Sequence, residues 1–176
     1  MLKHLIFSPG SEYSIKRGYL WLKPDSDNVP WYPLMLNKWI VPKHSFLCWL
    51  VARERLLTQD RLVKMTVIQE NVCYLCGLQE ENHHHLFFEC IYSKKCIQLV
   101  AEWCKVDLPR TGCIHWWVNW RHSSACRKKI IALILACSMY QIWHARNMCR
   151  IEGYVLRPER MGMSIKQESI RRLKQL

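Results

Sequence analysis

Residues 73–90 read CYLCGLQEENHHHLFFEC, and this stretch decides how the rest of the chain is taken. Cys73 and Cys76 form a Cys-x2-Cys hook that can bring two thiolates to one ion. Gly77 follows directly, and its tolerance of positive φ suits the tight turn that such a hook needs. Eight residues then lead to His85, and four more lead to Cys90. Three thiolates and one imidazole are a closed tetrahedral set for structural zinc. A closed set leaves no position for water, which argues against a hydrolytic metal. The competing reading, ordinary core cysteines beside a surface histidine run, leaves unexplained why a Cys pair, a His and a Cys fall so close together. Spacing favours His85 as the nitrogen ligand, with His83 and His84 as adjacent competitors. Leu86, Phe87 and Phe88 are expected to pack under the site and carry it onto a helical core.

Outward from this knuckle the sequence reads as mainly α. Toward the N-terminus, Pro42 and Ser45 open a strong helix, SFLCWLVARERLL, with Phe46, Trp49, Leu50 and Leu57 near one face. Thr58 and Asp60 read as the cap and first turn of a short helix through Lys64. Upstream, 23–30 (KPDSDNVP) is a turn-rich linker after a helical stretch at 19–22, with Ser14 as a candidate cap. Toward the C-terminus a helix is expected from about Ser93 to Cys104, with Ile97, Val100, Ala101 and Cys104 as its apolar stripe. A loop around Pro109 follows. The longest helix should run from about Ser124 to Arg150, ended by Gly153. An amphipathic helix after Pro158 closes the chain, with Ile165, Ile170 and Leu173 on one side. The expected organisation is a zinc-binding domain over 12–107, with its knuckle at 73–90, and a basic helical extension over 108–176.

Composition bounds the function. Half of the 176 residues are hydrophobic and 23% are charged, which excludes a disordered tail. The longest apolar run, Ile130 to Tyr140, is far short of the roughly 20 residues that span a bilayer. The N-terminal apolar stretch is too short for a secretory signal. The ten cysteines are scattered, and only three fall at metal-ligand spacing. Cys48, Cys96, Cys104, Cys113, Cys126, Cys137 and Cys149 mostly sit among apolar neighbours and read as reduced thiols in an intracellular, reducing compartment, nucleus or cytoplasm. The net charge of +12 divides into +4 over 1–72, −2 over 73–107 and +10 over 108–176. Basic character thus lies around the knuckle and not in it, which points to a polyanion partner.

Beyond the cysteine motif, the chain shows Trp39-x2-Pro42-Lys43-x2-Phe46-x2-Trp49, then Arg55-Leu56-x-Thr58-x-Asp60-Arg61-Leu62. It continues through Cys73-x2-Cys76-Gly77, Glu81, His85-Leu86-Phe87-Phe88-x-Cys90 and Tyr92-Ser93, with a looser Ile142-Trp143-x2-Arg146-Asn147. In these residues, over about 12–150, it resembles the zinc-binding domain that follows the reverse transcriptase in plant LINE-type (non-long-terminal-repeat) retrotransposons. The resemblance implies that His85, rather than its neighbours, is the ligand. It also implies a nucleic-acid-binding accessory that holds template or target during reverse transcription. Cys96 stands where that family often has Trp. No polymerase accompanies the domain in this sequence, so a fragment or remnant of an element is expected.

The leading expectation is therefore one structural zinc ion on Cys73, Cys76, His85 and Cys90, in a module that binds RNA or DNA electrostatically and without sequence preference. Candidate phosphate contacts are Lys43, Arg53, Arg55, Arg61 and Lys64 around the first long helix, and Arg127, Lys128, Lys129, Arg146 and Arg150 further on. The alternative is a protein-interaction module docking on a polymerase or RNase H domain, with Trp116, Trp117 and Trp120 as anchors. Neither a membrane nor a small-molecule substrate is expected as a partner. Catalysis is not expected either: the four aspartates, Asp25, Asp27, Asp60 and Asp107, form no paired-carboxylate motif.

Overall fold

A computed structural model describes residues 38–105 and 124–176. The expected helix at 19–22 with Ser14, the linker at 23–30, the loop around Pro109, and Cys113, Trp116, Trp117 and Trp120 lie outside the described residues. Within them the chain is mainly helical and holds no strand.

Pro42 opens α1 (Pro42–Ala52), at a position where the missing N–H costs nothing. The helix is apolar nearly all round, so its periodicity names no core face. Packing against the long helix α4 (Ala125–Glu152) selects His44, Ser45, Leu47, Cys48 and Val51 as the buried side. The expected face of Phe46, Trp49, Leu50 and Leu57 is corrected: Phe46 is 61% exposed, Leu57 47% and Trp49 39%. The helix also stops before Leu57. Glu54 turns left-handed (φ 51°), and Glu54 and Arg55 donate back to the carbonyls of Val51 and Leu50. That pair of bonds closes a helix C-terminus and reverses the chain. The short helix α2 (Gln59–Lys64) begins after Thr58, as expected, and ends the same way at Thr66 (φ 57°).

After the knuckle, a single π-helical turn spans His85–Glu89, and α3 (Ile91–Cys104) starts directly behind it. The buried side of α3 is Tyr92, Ser93, Cys96 and Val100, one residue around from the expected stripe, whose Ile97, Ala101 and Cys104 are half-buried. α4 matches its expected span closely. Ser124 caps it by accepting from Arg127 N at 3.3 Å, and Gly153 (φ 67°) ends it. The last helix, α5 (Pro158–Leu173), buries Met161, Gly162, Ile165 and Ser169.

α4 packs on α1 and α5, and α5 packs on α3. One apolar cluster joins Leu47 and Val51 of α1, Leu86 and Phe87 of the π-turn, Val100 of α3, Ile134 and Ile142 of α4, and Ile165 of α5. The division expected at residue 107 therefore does not separate two cores. The basic segment completes the core on which the knuckle sits. Tyr92 Oη donates to Leu156 O at 2.8 Å, and Arg172 donates to Trp39 O at 3.0 Å, tying the C-terminal elements to earlier ones. Cys48, Cys96 and Cys137 are buried, as small hydrophobes are. No described helix is long and apolar enough to cross a membrane.

Candidate metal centre

The Cys-x2-Cys hook is closed by its own backbone. Gly77 N donates to Cys73 O at 2.8 Å, and Gly77 adopts φ 65°, which a side chain would strain. Cys73 N in turn donates to Gln79 O at 2.8 Å. The histidine side is set by Asn82, whose side chain accepts from His85 N at 2.8 Å while its carbonyl accepts from Leu86 N.

The π-turn then does what an α-turn could not. At 3.6 residues per turn, residues five apart point about 140° away from each other. Here Cys90 N donates to His85 O at 2.7 Å, an i→i+5 closure that stacks the two ligand positions. Leu86 and Phe87, in between, are fully buried beneath the site, as expected, while Phe88 is only half-buried.

The donor atoms of Cys73, Cys76, His85 and Cys90 all lie within 4.8 Å of one another. Cys73 Sγ is 3.9 Å from Cys90 Sγ, and Cys76 Sγ is 3.4 Å from His85 Nε2. Zinc bonds of about 2.3 Å to sulfur and about 2.0–2.1 Å to nitrogen, at tetrahedral angles, require separations of about 3.8 Å and 3.6 Å. The residues therefore fit zinc, in number, softness and spacing. Cys73 and Cys90 are fully buried and His85 nearly so, which leaves Cys76 as the edge nearest solvent.

Without metal, the Cys73 thiol hydrogen-bonds to the Cys90 sulfur, and this pairing lowers the Cys90 pKa while raising that of Cys73. The amides of Ser93 and Tyr92, in the first turn of α3, lower Cys90 further. The helix N-terminus behind Cys90 thus favours the thiolate form that binds metal. The other histidines are held elsewhere. His84 is exposed and pairs with Glu89 at 3.2 Å. The buried His83 sets its Nδ1 3.5 Å from Thr58 Oγ1, beside a surface cleft lined by Glu54, Asp60 and Arg61. Burial lowers its pKa.

Behind the ligands lies a fixed support. The Glu81 carboxylate accepts from Arg146 Nη2 at 2.7 Å, from Arg146 Nε at 3.0 Å and from Gln59 N at 3.0 Å. Arg146 also lies over the rings of Tyr74 and Trp143, 5.3 Å and 5.1 Å from their centroids. Cys149 donates to Tyr74 O at 3.2 Å. One face of α4 therefore grips the loop that carries the ligands. The pairing of Glu81 with Arg146 went unread in the sequence, although both positions belong to the motif string. Sixty-five residues separate them, and no periodicity couples such positions.

This corrects one candidate phosphate contact. Arg146 is 1% exposed and its charge is spent on Glu81, so it offers nothing to a polyanion. The remaining candidates reach the surface: Lys43, Arg53, Arg55, Lys64, Arg127, Lys129 and Arg150 are exposed, and Arg61 and Lys128 half-buried. They are not one patch. Along α4 the 23 steps from Arg127 to Arg150 span about 35 Å at 1.5 Å per residue, so those two ends are separate surfaces. Arg61 donates to Glu54 O, and Lys64 pairs with Asp60 at 3.6 Å.

A sequence model of the family described as zinc-binding in reverse transcriptase matches residues 13–96. The matched segment holds all four donors, α1, α2 and the π-turn, and it ends within α3. No curated protein and no solved structure matches the chain.

Proposed function

We propose that the reverse-transcriptase zinc-binding domain at residues 13–96, with the helices that complete its core, is a nucleic-acid-binding accessory of a LINE-type retrotransposon reverse transcriptase of the plant kind. In this reading one zinc ion staples the knuckle, and the basic surface holds template or target RNA or DNA without reading its sequence. The observation that carries the reading is the first turn of α4. Arg127, Lys128 and Lys129 stand where the helix dipole already concentrates positive charge, and no acidic residue accompanies them. Cations there gain nothing from the helix and lose some tenths of a kcal/mol each. A phosphate at the same place would meet the terminal amides and up to three cations together. Lys129 is partly engaged already, its Nζ 5.7 Å from the Trp39 ring centroid.

The knuckle is a support in this reading and not the phosphate clamp. Residues 73–107 carry −2 before metal, and the two charges of zinc are offset by the three thiolates that bind it. Binding of fluorescently labelled single- and double-stranded oligonucleotides, measured from low to physiological salt, tests the reading. Affinity should fall steeply with salt and differ little among sequences. Salt-independent binding, or none, overturns it.

One observation favours docking on a polymerase or RNase H domain as a second reading. Phe46 and Trp49 stack on the outer side of α1 with centroids 5.8 Å apart, and both are exposed. Exposed aromatics of this kind anchor protein interfaces. Replacing both by Ser should leave nucleic-acid affinity unchanged and abolish association with such a domain.

The chain itself performs no chemistry in this proposal. Asp60 is committed locally, accepting from Thr58 Oγ1 at 2.5 Å and pairing with Lys64. Purified protein with Mg2+ or Mn2+ should show no polymerase, endonuclease or RNase H turnover. Activity that disappears on Asp60→Asn or Asp107→Asn would overturn this. The zinc thiolates suit a reducing intracellular compartment.

A further inference from the structure

Three helices bring a second set of metal-binding side chains together, away from the knuckle. His44 of α1, Cys137 of α4 and Glu168 of α5 place one donor atom each within 4.8 Å of one another. His44 Nε2 lies 3.2 Å from Glu168 Oε1, and Cys137 Sγ lies 3.5 Å from Glu168 Oε2. His44 and Cys137 are 2% and 1% exposed, while the Glu168 side chain, at 13%, reaches the edge of the protein. We propose that His44, Cys137 and Glu168 form a second divalent transition-metal site, of zinc type, that pins the C-terminal helix α5 to α1 and α4.

The argument starts from an orphan. His44 Nε2 is buried and, despite its nearness to Glu168, has no hydrogen bond of acceptable geometry. Such atoms are rare in folded proteins and destabilise the fold unless something satisfies them. If Nε2 carries the proton, it is misdirected; if it does not, a lone pair faces a carboxylate. Burial lowers the His44 pKa, so the imidazole is held neutral, the form that binds metals. A cation between the two groups satisfies both.

Chemistry and charge agree with a divalent ion. A thiolate, a carboxylate and a neutral imidazole sum to −2. The mixture of S, N and O donors suits zinc. On a tetrahedral zinc, nitrogen and oxygen donors sit about 3.4 Å apart and sulfur and oxygen donors about 3.6 Å, close to the 3.2 Å and 3.5 Å observed here. Burial raises the Cys137 thiol, so binding must displace its proton, and with three protein donors in place of four the affinity will be lower than at the knuckle. Gln141 Nε2 donates to Glu168 Oε2 at 2.5 Å and orients the carboxylate, the role outer partners play around metals. Arg171, at 4.0 Å from Glu168 Oε1, is exposed and free to swing away. Three protein donors leave a fourth position for water.

The test is metal stoichiometry on the full chain, stripped under reducing conditions and titrated with Zn2+, then with Co2+ as a visible reporter of thiolate ligation. Wild type should take two equivalents, the second at least tenfold weaker, with Co2+–thiolate absorption growing in both steps. Cys137→Ser and Glu168→Gln should each lose only the second equivalent, and Cys76→Ser only the first. Saturation of wild type at one equivalent overturns the proposal, as does a second equivalent that survives both variants. If Cys137→Ser loses its helical circular dichroism, Glu168→Gln, whose side chain reaches the surface, decides alone: loss of the second equivalent supports the site and retention overturns it.

Discussion

The guanidinium of Arg146 forks onto the carboxylate of Glu81 with Nη2–Oε1 at 2.7 Å, and neither side chain reaches solvent. The pair joins the middle of α4 to the loop between the two halves of the zinc ligand set. Glu81 also accepts from Gln59 N, and its backbone carbonyl accepts from Asp60 N, so α2 hangs on the same residue. Three pieces of chain that are distant in sequence thus meet at one carboxylate.

Breaking this pair should be costly. Arg146→Ala leaves a buried carboxylate with only a backbone amide as partner, an effect worth about 3–5 kcal/mol. Arg146→Lys should recover little, because an ammonium cannot fork onto both oxygens or lie flat over Tyr74 and Trp143. The double change Arg146→Met with Glu81→Gln removes both charges and should restore a good part of the loss. Denaturant unfolding of the four proteins checks this. A single-variant loss under 1 kcal/mol would show that the pair is not a structural link.

The knuckle was legible because its information is local: hook, glycine and ligand spacing all lie within 18 residues. The long helix was legible for the same reason, with Ser124 and Gly153 as its caps. What stayed hidden depends on partners. α1 has no segregated apolar face, so only its contact with α4 could show that Phe46 and Trp49 face out and His44 faces in. Arg146 looked like one more cation on a basic helix because its counter-charge is 65 residues away. The π-turn left no trace in propensity. It brings His85 and Cys90 to one point, which no local propensity encodes.

Gly162 tests the close approach of α5 to α3. A Cβ built there would lie 3.3 Å from Leu99 Cβ, tighter than ordinary contact. Alanine in a helix interior gains up to about 1 kcal/mol over glycine, and that gain is roughly cancelled if Leu99 must shift by a few tenths of an ångström. Gly162→Ala should therefore change stability by less than about 1 kcal/mol, whereas Gly162→Val should lose about 1–3 kcal/mol by overpacking. Thermal unfolding of both variants decides. A Val variant as stable as Ala would mean that the two helices are not in contact here.

For nucleic acid, Arg127→Glu, Lys128→Glu and Lys129→Glu combined should weaken binding to all sequences alike. If each residue meets one phosphate of a duplex, the slope of log affinity against log salt should flatten by about 2–3. Arg150→Glu, about 35 Å away along the same helix, should do much less if the bound segment is short. Equal effects at both ends would show diffuse attraction and no site at the first turn of α4.

Metal removal from the knuckle is the prediction on which the most rests. Cys76→Ser or Cys90→Ser should abolish zinc binding there, because each removes one of three thiolates from a four-donor set. His85→Ala should lower affinity strongly in a chelator competition. His84→Ala should do little, since His84 is exposed and paired with Glu89, and His83→Ala should disturb the Thr58 contact without releasing metal. Because zinc ties the cysteine hook to the π-turn, part of the binding free energy becomes local folding free energy, the whole being about 10–16 kcal/mol in isolated zinc-finger peptides. Chelation should therefore loosen about residues 72–92 first. The damage should not stop at the loop, because Leu86 and Phe87 lie between the ligands and are fully buried, and exposing each costs about 1.5–3 kcal/mol. α4 and α5, which pack on each other and share the apolar cluster, should persist. Limited proteolysis with peptide mapping checks the order: cleavage within 72–92 should appear on metal removal, before any within α4. Equal protection of that segment with and without zinc would sink the structural role of the ion. If metal is lost in His84→Ala and kept in His85→Ala, the site stands but its nitrogen ligand is misassigned.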